Sequence, residues 1–255
     1  MSLLLHHALH HAFRRLSTNT LGVDVSDKAL NLARDNLKHV GLGSREDSSL
    51  TFKQANVLAE KSEDIGGMKS VLDVVGGNEF DVIVANPPYI STEQFYAQTA
   101  RSVRSFEPRL ALVPGNNMSL KQPTAPEPDQ GTSSANDDET QSLIYEGDMF
   151  YPRIARIARS VNAKLVLMEV GDSAQAERVA KYFAAQTITI NDKPQPFWHA
   201  MEIWCDGIAA EGVMTRKMMR CGAFHVPVVG PREQTHGRTV VCWRCLLYTS
   251  PSPRD

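Results

Sequence analysis

The most constraining feature of the sequence is a short apolar run that stops abruptly at two prolines. The run 82–85 (Val-Ile-Val-Ala) is typical of a buried parallel strand that is apolar on both faces. Pro87 and Pro88 lack the N–H that a strand ladder needs, so the strand has to end before them. Asn86 is therefore predicted at the carboxyl end of a central strand, where open α/β sheets place their ligands.

Strand-like and helix-like runs alternate along the chain, which predicts a doubly wound α/β fold. The runs 201–205 and 239–243 suit an antiparallel pair of strands that closes the sheet. A helix is predicted to begin after Gly171, with Asp172 or Ser173 as its N-cap. Strands are expected at 21–25, 50–56, 82–85, 164–170, 187–190, 201–205 and 239–243, and further helices at 1–16, from about 26, and at about 142–160.

Three segments depart from this alternation. Residues 116–141 are rich in Asn, Ser, Pro, Gln and Asp, which predicts a disordered insertion. Residues 208–237 are expected to form a loose insertion between the last two strands. Residues 245–255 show no periodicity and are interpreted as an artefactual tail. One incomplete domain is therefore expected over residues 1–244.

Composition and charge argue against several classes of function. The net charge is −2, with 27 basic and 29 acidic residues, so no overall attraction to nucleic acid is expected. No apolar run approaches the roughly 18 residues of a membrane span, which predicts a soluble protein that does not enter a membrane. All four cysteines lie in the last fifth of the chain, and no signal peptide is recognisable. Free thiols in a reducing compartment are expected.

Two patterns of potential metal ligands are interpreted as a helix face and as an accidental spacing, so no metal is expected. The histidines at 6, 7, 10 and 11 include i,i+4 pairs that can bind a metal ion, but no third ligand with suitable spacing follows. Cys242 and Cys245 have the CxxC spacing only once. The first 16 residues contain basic residues and no acidic ones, which fits either a mitochondrial presequence or the first helix of the fold.

The Asn-Pro-Pro-Tyr segment has a specific chemical use. An amide or exocyclic amino nitrogen is a poor nucleophile, because its lone pair is delocalised. The Asn86 side-chain oxygen and the Pro87 carbonyl can accept its two N–H groups and so direct the lone pair towards a methyl donor. Pro87 and Pro88 fix the carbonyl directions, and Tyr89 offers a flat face for stacking. The alternative is a simple strand-terminating turn.

Two further residues follow predicted strands and are candidates for contacting a nucleotide. Asp24 could accept hydrogen bonds from both hydroxyls of a ribose, or it could cap a helix, a role that Ser26 or Asp27 could also fill. Asn56 could face an adenine edge through its amide, or it could simply form a turn. Both alternatives remain open for Asn56.

From Leu21 to about Trp243, the chain resembles the protein-(glutamine-N5) methyltransferases that modify peptide-chain release factors. The Asn-Pro-Pro-Tyr core is shared with adenine-N6 and cytosine-N4 nucleic-acid methyltransferases, whereas the segments 107–112 and 169–175 favour the glutamine enzymes. The polar insertion and the end of the chain resemble the fungal, mitochondrial branch. The matching stretches are 22–30, 81–90, 107–112, 147–151 and 169–175.

The resemblance implies a Rossmann-like class I fold, S-adenosyl-L-methionine as cofactor, and the glutamine of a release factor's Gly-Gly-Gln loop as acceptor. It implies that Asp24 holds the ribose, that Asn56 lies near the adenine, where the family commonly has aspartate, and that Asn86 also borders the cofactor. The acceptor amide would be bound by Asn86, Pro87 and Tyr89. Mitochondrial placement follows from the resemblance alone, with the cytoplasm as the alternative.

The sequence departs from the family before Ser2, where the family's first strand and glycine-rich loop are expected and neither is found. Three hypotheses follow. The first is a release-factor glutamine methyltransferase, possessing an impaired cofactor site. The second is a nucleic-acid amino-methyltransferase that uses the same four residues. The third is a non-catalytic remnant.

Overall fold

A computed structural model describes most of the chain. It covers residues 1–12, 17–40, 48–59, 68–114, 145–190, 192–206, 214–221, 224–231 and 236–244. The polar segment 116–141 and the tail 245–255 lie outside the described residues, as does part of the segment 208–237. The chain divides into two compact units, Met1–Asn78 and Glu79–Asp255.

The first unit contains a parallel pair of strands. Thr18 lies opposite Ser48 at one end of this pair, and Asp24 lies opposite Gln54 at the other. The helix at 1–16 and the strands at 21–25 and 50–56 are thus predicted correctly in type, with shifted ends. The elements are α1 (Ser2–Ala12), β1 (Thr18–Asp24), α2 (Asp27–Val40), β2 (Ser48–Gln54) and α3 (Val71–Val75).

Side-chain hydrogen bonds and a charge at the first turn explain where α2 and α3 begin. The Ser26 hydroxyl accepts the Ala29 N–H at 3.3 Å, and Asp27 places a negative charge in the first turn of α2. The Ser70 and Asp73 side chains form a reciprocal capping box at the start of α3. In α1, His6 Nδ1 lies 2.9 Å from the Thr20 hydroxyl of β1.

The second unit is built on a six-stranded mixed sheet. Its strand order is β3-β4-β10-β7-β9-β8, and β5 pairs with β6 in a separate hairpin. The pairs β3/β4 and β7/β9 are parallel, and the other neighbours are antiparallel. The elements are β3 (Val82–Ala85), α4 (Thr92–Ala97), α5 (Arg101–Phe106), α6 (Phe150–Ser160), β4 (Leu165–Glu169), α7 (Ser173–Ala184), β5 (Thr187–Ile190), β6 (Lys193–Pro196), β7 (Ala200–Cys205), β8 (Met214–Cys221), β9 (Phe224–Pro231) and β10 (Gly237–Trp243), with short 3₁₀ turns at Arg109–Ala111 and Glu146–Asp148.

Helix α7 covers part of this sheet. The Asp172 side chain accepts the Gln175 N–H, which confirms the predicted N-cap. The Ser173 hydroxyl accepts the Gly237 N–H at 2.9 Å and so ties the helix start to β10. A Cβ at Gly237 would lie 2.5 Å from Ile203, so only glycine allows this close approach. The buried face of α7 consists of Gln175, Ala176, Val179, Ala180, Phe183 and Ala184.

The predicted antiparallel pairing of the last two strands is confirmed, but three other expectations are corrected. Strand β3 has the predicted bounds and runs parallel to β4, yet it forms an edge of the described sheet rather than its centre, and Val82 is 42% exposed. The expected loose insertion contains β8 and β9, which extend the sheet beyond β7. Helix α6 begins at Phe150, because Pro152 is tolerated in the first turn of a helix but not in its interior.

The described residues contain neither a membrane-spanning helix nor a cluster of metal ligands. No described helix combines the length and apolarity needed to cross a bilayer. Within the same residues, no group of three or more His, Cys, Asp or Glu side chains is placed to hold a metal ion.

Candidate active site

The Asn-Pro-Pro-Tyr segment begins directly after β3. Pro87 is buried and Tyr89 is half-buried, whereas the Asn86 side chain is exposed to solvent. Among the described residues, the Asn86 carboxamide has no hydrogen-bond partner. The segment therefore presents one free amide at the carboxyl end of a parallel strand.

The Tyr89 side chain is held by the end of the neighbouring strand. Its hydroxyl donates a hydrogen bond to Glu169 Oε1 at 3.0 Å. Strands β3 and β4 run in register, with Ala85 opposite Met168, so the two strand ends lie side by side. Burial, together with the Glu169 carboxylate, raises the pKa of Tyr89 to about 12. The phenol therefore keeps its proton and remains a donor to Glu169 at neutral pH.

The backbone of Tyr89 is packed as closely as its side chain. Its carbonyl oxygen accepts a hydrogen bond from Gln175 Nε2 at 3.2 Å. A Cβ at Gly147 would lie 2.4 Å from the same oxygen, and one at Gly171 would lie 3.1 Å from the Tyr89 ring. Glycine at both positions allows the neighbouring loops to approach Tyr89 this closely.

A buried ion pair lies behind Gln175. The Asp148 side chain is 0% exposed and accepts hydrogen bonds from Arg178 Nε at 2.5 Å and Nη2 at 3.1 Å. Gln175 Nε2 also donates to Asp148 at 2.8 Å. The Arg178 guanidinium lies 4.1 Å from the ring centre of Tyr145, in a cation–π arrangement. This cluster connects the turn at 146–148, helix α7 and Tyr89.

The exit of β4 is also fixed from two sides. The Tyr151 hydroxyl donates to the Glu169 carbonyl at 2.9 Å, and burial raises the pKa of this hydroxyl. Arg238 of β10 donates to the Gly171 carbonyl and to Asp206 at 3.2 Å. Glu169 is therefore anchored through its backbone while its carboxylate holds Tyr89.

The chain that follows the Asn-Pro-Pro-Tyr segment folds back and contacts the end of this segment. The Ile90 N–H donates to the Leu112 carbonyl at 3.0 Å, which brings the two ends of the segment 91–111 together. Both the N–H and the hydroxyl of Thr92 donate to the Glu146 carboxylate, each at 2.7 Å. Arg109, from the Glu-Pro-Arg stretch of the sequence, donates to the Thr92 hydroxyl at 3.2 Å.

The two nucleotide candidates lie in the first unit. Asp24 is exposed at the end of β1, where one carboxylate oxygen accepts the Ser26 N–H at 2.8 Å. Asn56 is only 3% exposed, and its side-chain oxygen accepts the Leu58 N–H at 2.9 Å. This hydrogen bond is the one that the turn interpretation of Asn56 expects.

No sequence motif points to the cluster around Asp148. Gln175 and Arg178 were visible only as two polar residues three positions apart on a predicted helix, which places them on one face. Asp148 is 27 residues upstream of Gln175, and no local pattern indicated that its carboxylate is buried. Gly147 and Asp148 are adjacent in the stretch 147–151, which resembles the methyltransferase family. This resemblance was the one sequence signal for a role of Asp148.

Comparisons with known proteins give one consistent result. No family model matches the chain. A release factor glutamine methyltransferase of Chlorobaculum tepidum is 38% identical over 102 residues, which are 40% of this chain and 30% of that protein. One of Enterococcus faecalis is 30% identical over 103 residues, again 40% of this chain and 30% of that protein. The mitochondrial MRF1 N(5)-glutamine methyltransferase of Saccharomyces cerevisiae is 34% identical over 92 residues, which are 36% of this chain and 24% of that protein.

The matched part is short in relation to these relatives, since the chain spans 24–30% of their length. Within that part, the similarity confirms the resemblance that the sequence motifs indicate. Over the matched stretch, this chain is similar in sequence to the release factor glutamine methyltransferases.

Proposed function

We propose that this chain carries the acceptor-binding part of an enzyme that methylates the N5 atom of the glutamine in a release factor's Gly-Gly-Gln loop. The observation that supports this most is the free Asn86 carboxamide at the end of β3, next to a Tyr89 that is fixed at both ends. The names of the relatives support the same substrate class.

The geometry suits the chemistry of an amide nitrogen. The Asn86 side-chain oxygen and the Pro87 carbonyl accept the two N–H groups of the acceptor, so that its lone pair points towards the incoming carbon. The Tyr89 ring supports the planar amide from one side. In the transfer, the nitrogen would gain the bond to the methyl carbon, and the electron pair of the carbon–sulfur bond would remain on the sulfur of the donor. The proton lost from nitrogen passes to water, which reaches the exposed Asn86.

S-adenosyl-L-methionine, when bound, would supply the methyl group as an electrophilic sulfonium carbon. Asp24 fits the ribose, because its carboxylate is exposed and uses one oxygen for the Ser26 N–H, which leaves the other available among the described residues. Asn56 fits less well, because it is buried and its oxygen serves the turn. We propose Asp24, Asn56 and Asn86 as cofactor contacts, and Asn86, Pro87, Pro88 and Tyr89 as the catalytic segment.

The finer fold assignment is part of the same proposal. A Rossmann-like methyltransferase sheet is supported by the parallel pairs β1/β2 and β3/β4 and by the antiparallel strand β10 beside β4. Strands β1 and β3 each keep one edge without a strand partner among the described residues. We propose one methyltransferase domain over residues 1–244. A mitochondrial location is supported by the name of the fungal relative, although the other relatives reported are bacterial.

The proposal is tested by incubating the chain with radiolabelled S-adenosyl-L-methionine and either a release factor or double-stranded DNA. Label on the Gly-Gly-Gln glutamine, located by peptide mass spectrometry, is the expected result. Asn86→Ala should lower kcat/KM by about 100-fold or more, since it removes one hydrogen-bond partner of the reacting group. Tyr96→Phe is the control, because Tyr96 is a 60% exposed aromatic residue of α4.

Two outcomes would contradict the proposal. Label on DNA in place of the release factor would favour the amino-methyltransferase hypothesis. No label on either acceptor, from a folded chain, would favour the non-catalytic remnant.

A further inference from the structure

We propose that Gln175 is a positioning residue for the Asn-Pro-Pro-Tyr segment, and that the buried Asp148–Arg178 pair fixes the orientation of its amide. The inference rests on the proposed function for its catalytic meaning. It is supported by the set of hydrogen bonds made by the Gln175 side chain, which is 4% exposed. None of the described contacts of Gln175 involves Asn86 or the reacting atoms.

The orientation of the Gln175 amide is fixed by its neighbours. Its Oε1 accepts the Gly171 N–H at 2.7 Å. Its Nε2 faces three oxygen atoms, namely the carbonyls of Tyr89 at 3.2 Å and Gly147 at 3.1 Å, and Asp148 Oδ1 at 2.8 Å. If the amide were turned over, Oε1 would face three acceptor oxygens and Nε2 would face the Gly171 N–H, which is a donor. The amide therefore has one allowed position.

Asp148 makes this position stable. Its carboxylate is fully buried, and a buried charge needs a counter-charge and hydrogen bonds. Arg178 supplies both, and Gln175 supplies a further hydrogen bond to the oxygen that Arg178 Nη2 also contacts. Because Gln175 and Arg178 are three residues apart on α7, one rigid helix face sets both donors.

Holding the Tyr89 carbonyl also constrains the residues before it. Pro87 and Pro88 have φ locked near −65°, so few backbone torsions separate the Tyr89 carbonyl from Asn86. A displacement of this carbonyl is therefore passed to the Pro87 carbonyl and the Asn86 side chain. Misplacement of reacting groups by about 1 Å can cost about 100-fold in rate. Gln175 thus acts on the acceptor through Tyr89.

The test compares Gln175→Met and Gln175→Asn with Asp172→Ala. Methionine keeps the length of glutamine but removes its hydrogen bonds, and asparagine keeps the amide but is one methylene too short to reach. The control variant removes the N-cap of the same helix and leaves the Gln175 amide in place. All three are checked for folding by circular dichroism.

The first measurement does not depend on activity. Tyrosinate absorbance is recorded from about pH 8 to about pH 11, around the ordinary tyrosine pKa, and Tyr89 is isolated by subtracting the spectra of matching Tyr89→Phe proteins. The Gln175 variants should ionise Tyr89 at lower pH than the parent chain, because the ring moves away from its buried place beside Glu169. Asp172→Ala should leave the Tyr89 titration unchanged.

The second measurement is methyl transfer to the release factor. The Gln175 variants should lower kcat/KM by about 10- to 100-fold relative to Asp172→Ala. Unchanged Tyr89 titration and unchanged kcat/KM in folded Gln175 variants would overturn the inference and leave Gln175 a purely stabilising residue. If the parent chain transfers no methyl group, the proposed function fails, while the Tyr89 titration still decides whether Gln175 positions the segment.

Discussion

Replacing Arg178 by methionine should destabilise the second unit by about 3 kcal/mol, because it leaves the buried Asp148 carboxylate without its counter-charge. Asp148 is 0% exposed and has three donors, of which Arg178 provides two. Breaking a buried ion pair by removing one partner costs about 3–5 kcal/mol. The lower end of this range applies, since the Arg178 side chain is 25% exposed and water can reach the vacated space.

Neutralising the other partner should recover part of this loss. In the double variant Asp148→Asn/Arg178→Met, no charge is buried and Gln175 can still donate to the side-chain oxygen at position 148. The double variant should therefore be about 2 kcal/mol more stable than Arg178→Met alone. Lys181→Met is the matched control on the same helix, because the Lys181–Glu177 pair at 2.9 Å is half exposed and is expected to contribute less than about 0.5 kcal/mol.

Urea unfolding followed by tryptophan fluorescence measures these differences in the second unit. All three tryptophans of the chain lie in that unit. Trp198 is 1% exposed, and its ring centre lies 5.8 Å from that of Phe183 on α7. Equal losses for Arg178→Met and Lys181→Met, or no recovery in the double variant, would refute the assignment of a buried, paired charge at Asp148.

Three further predictions concern other contacts of the second unit. Gly147→Ala should cost about 1–3 kcal/mol in urea unfolding, because its Cβ would strike the Tyr89 backbone at 2.4 Å, whereas Gly171→Ala meets only the ring at 3.1 Å and should cost less. The Tyr89 phenol loses its proton near pH 10 in the unfolded chain and near pH 12 in the folded chain, so the free energy of unfolding should fall as the pH rises between these values. Tyr89→Phe should show a smaller fall in urea unfolding, and an equal fall would contradict the raised pKa of Tyr89. Cys205 and Cys242 are buried, and burial raises the pKa of both thiols, so mass spectrometry should find both unlabelled by iodoacetamide until urea unfolds the protein.

Short-range features of the fold were predictable from the sequence, because they depend on neighbouring residues alone. The apolar run 82–85 followed by two prolines gave the bounds of β3, and the Gly171-Asp172 pair gave the start of α7. The Asn-Pro-Pro-Tyr motif and its companion stretches also indicated a resemblance to release factor glutamine methyltransferases, and the chain is similar to proteins of that name over the matched part.

Other features depend on contacts between distant residues, and local patterns could not give them. The runs at 214–221 and 224–231 become strands through pairing with each other and with β7. The position of β3 depends on which strands are available to pair with it, so its apolar sequence suggested a central strand although it lies at an edge of the described sheet. For Asn56, sequence left a turn and an adenine contact equally open, and its position shows the turn hydrogen bond.

The sequence by itself thus determined that Asn86 lies at the end of a strand and is followed by two residues of restricted backbone conformation. Proline lacks an N–H and has a fixed φ, and both properties act on the backbone wherever the segment lies. Only the tertiary structure decided what holds that segment in place. Gln175 is 86 residues beyond Tyr89, and its contact with the Tyr89 carbonyl exists because β3 and β4 pair in parallel and α7 follows β4. Burial of Asp148 is likewise a property of the packed unit, since the free energy of a charge depends on the groups that surround it.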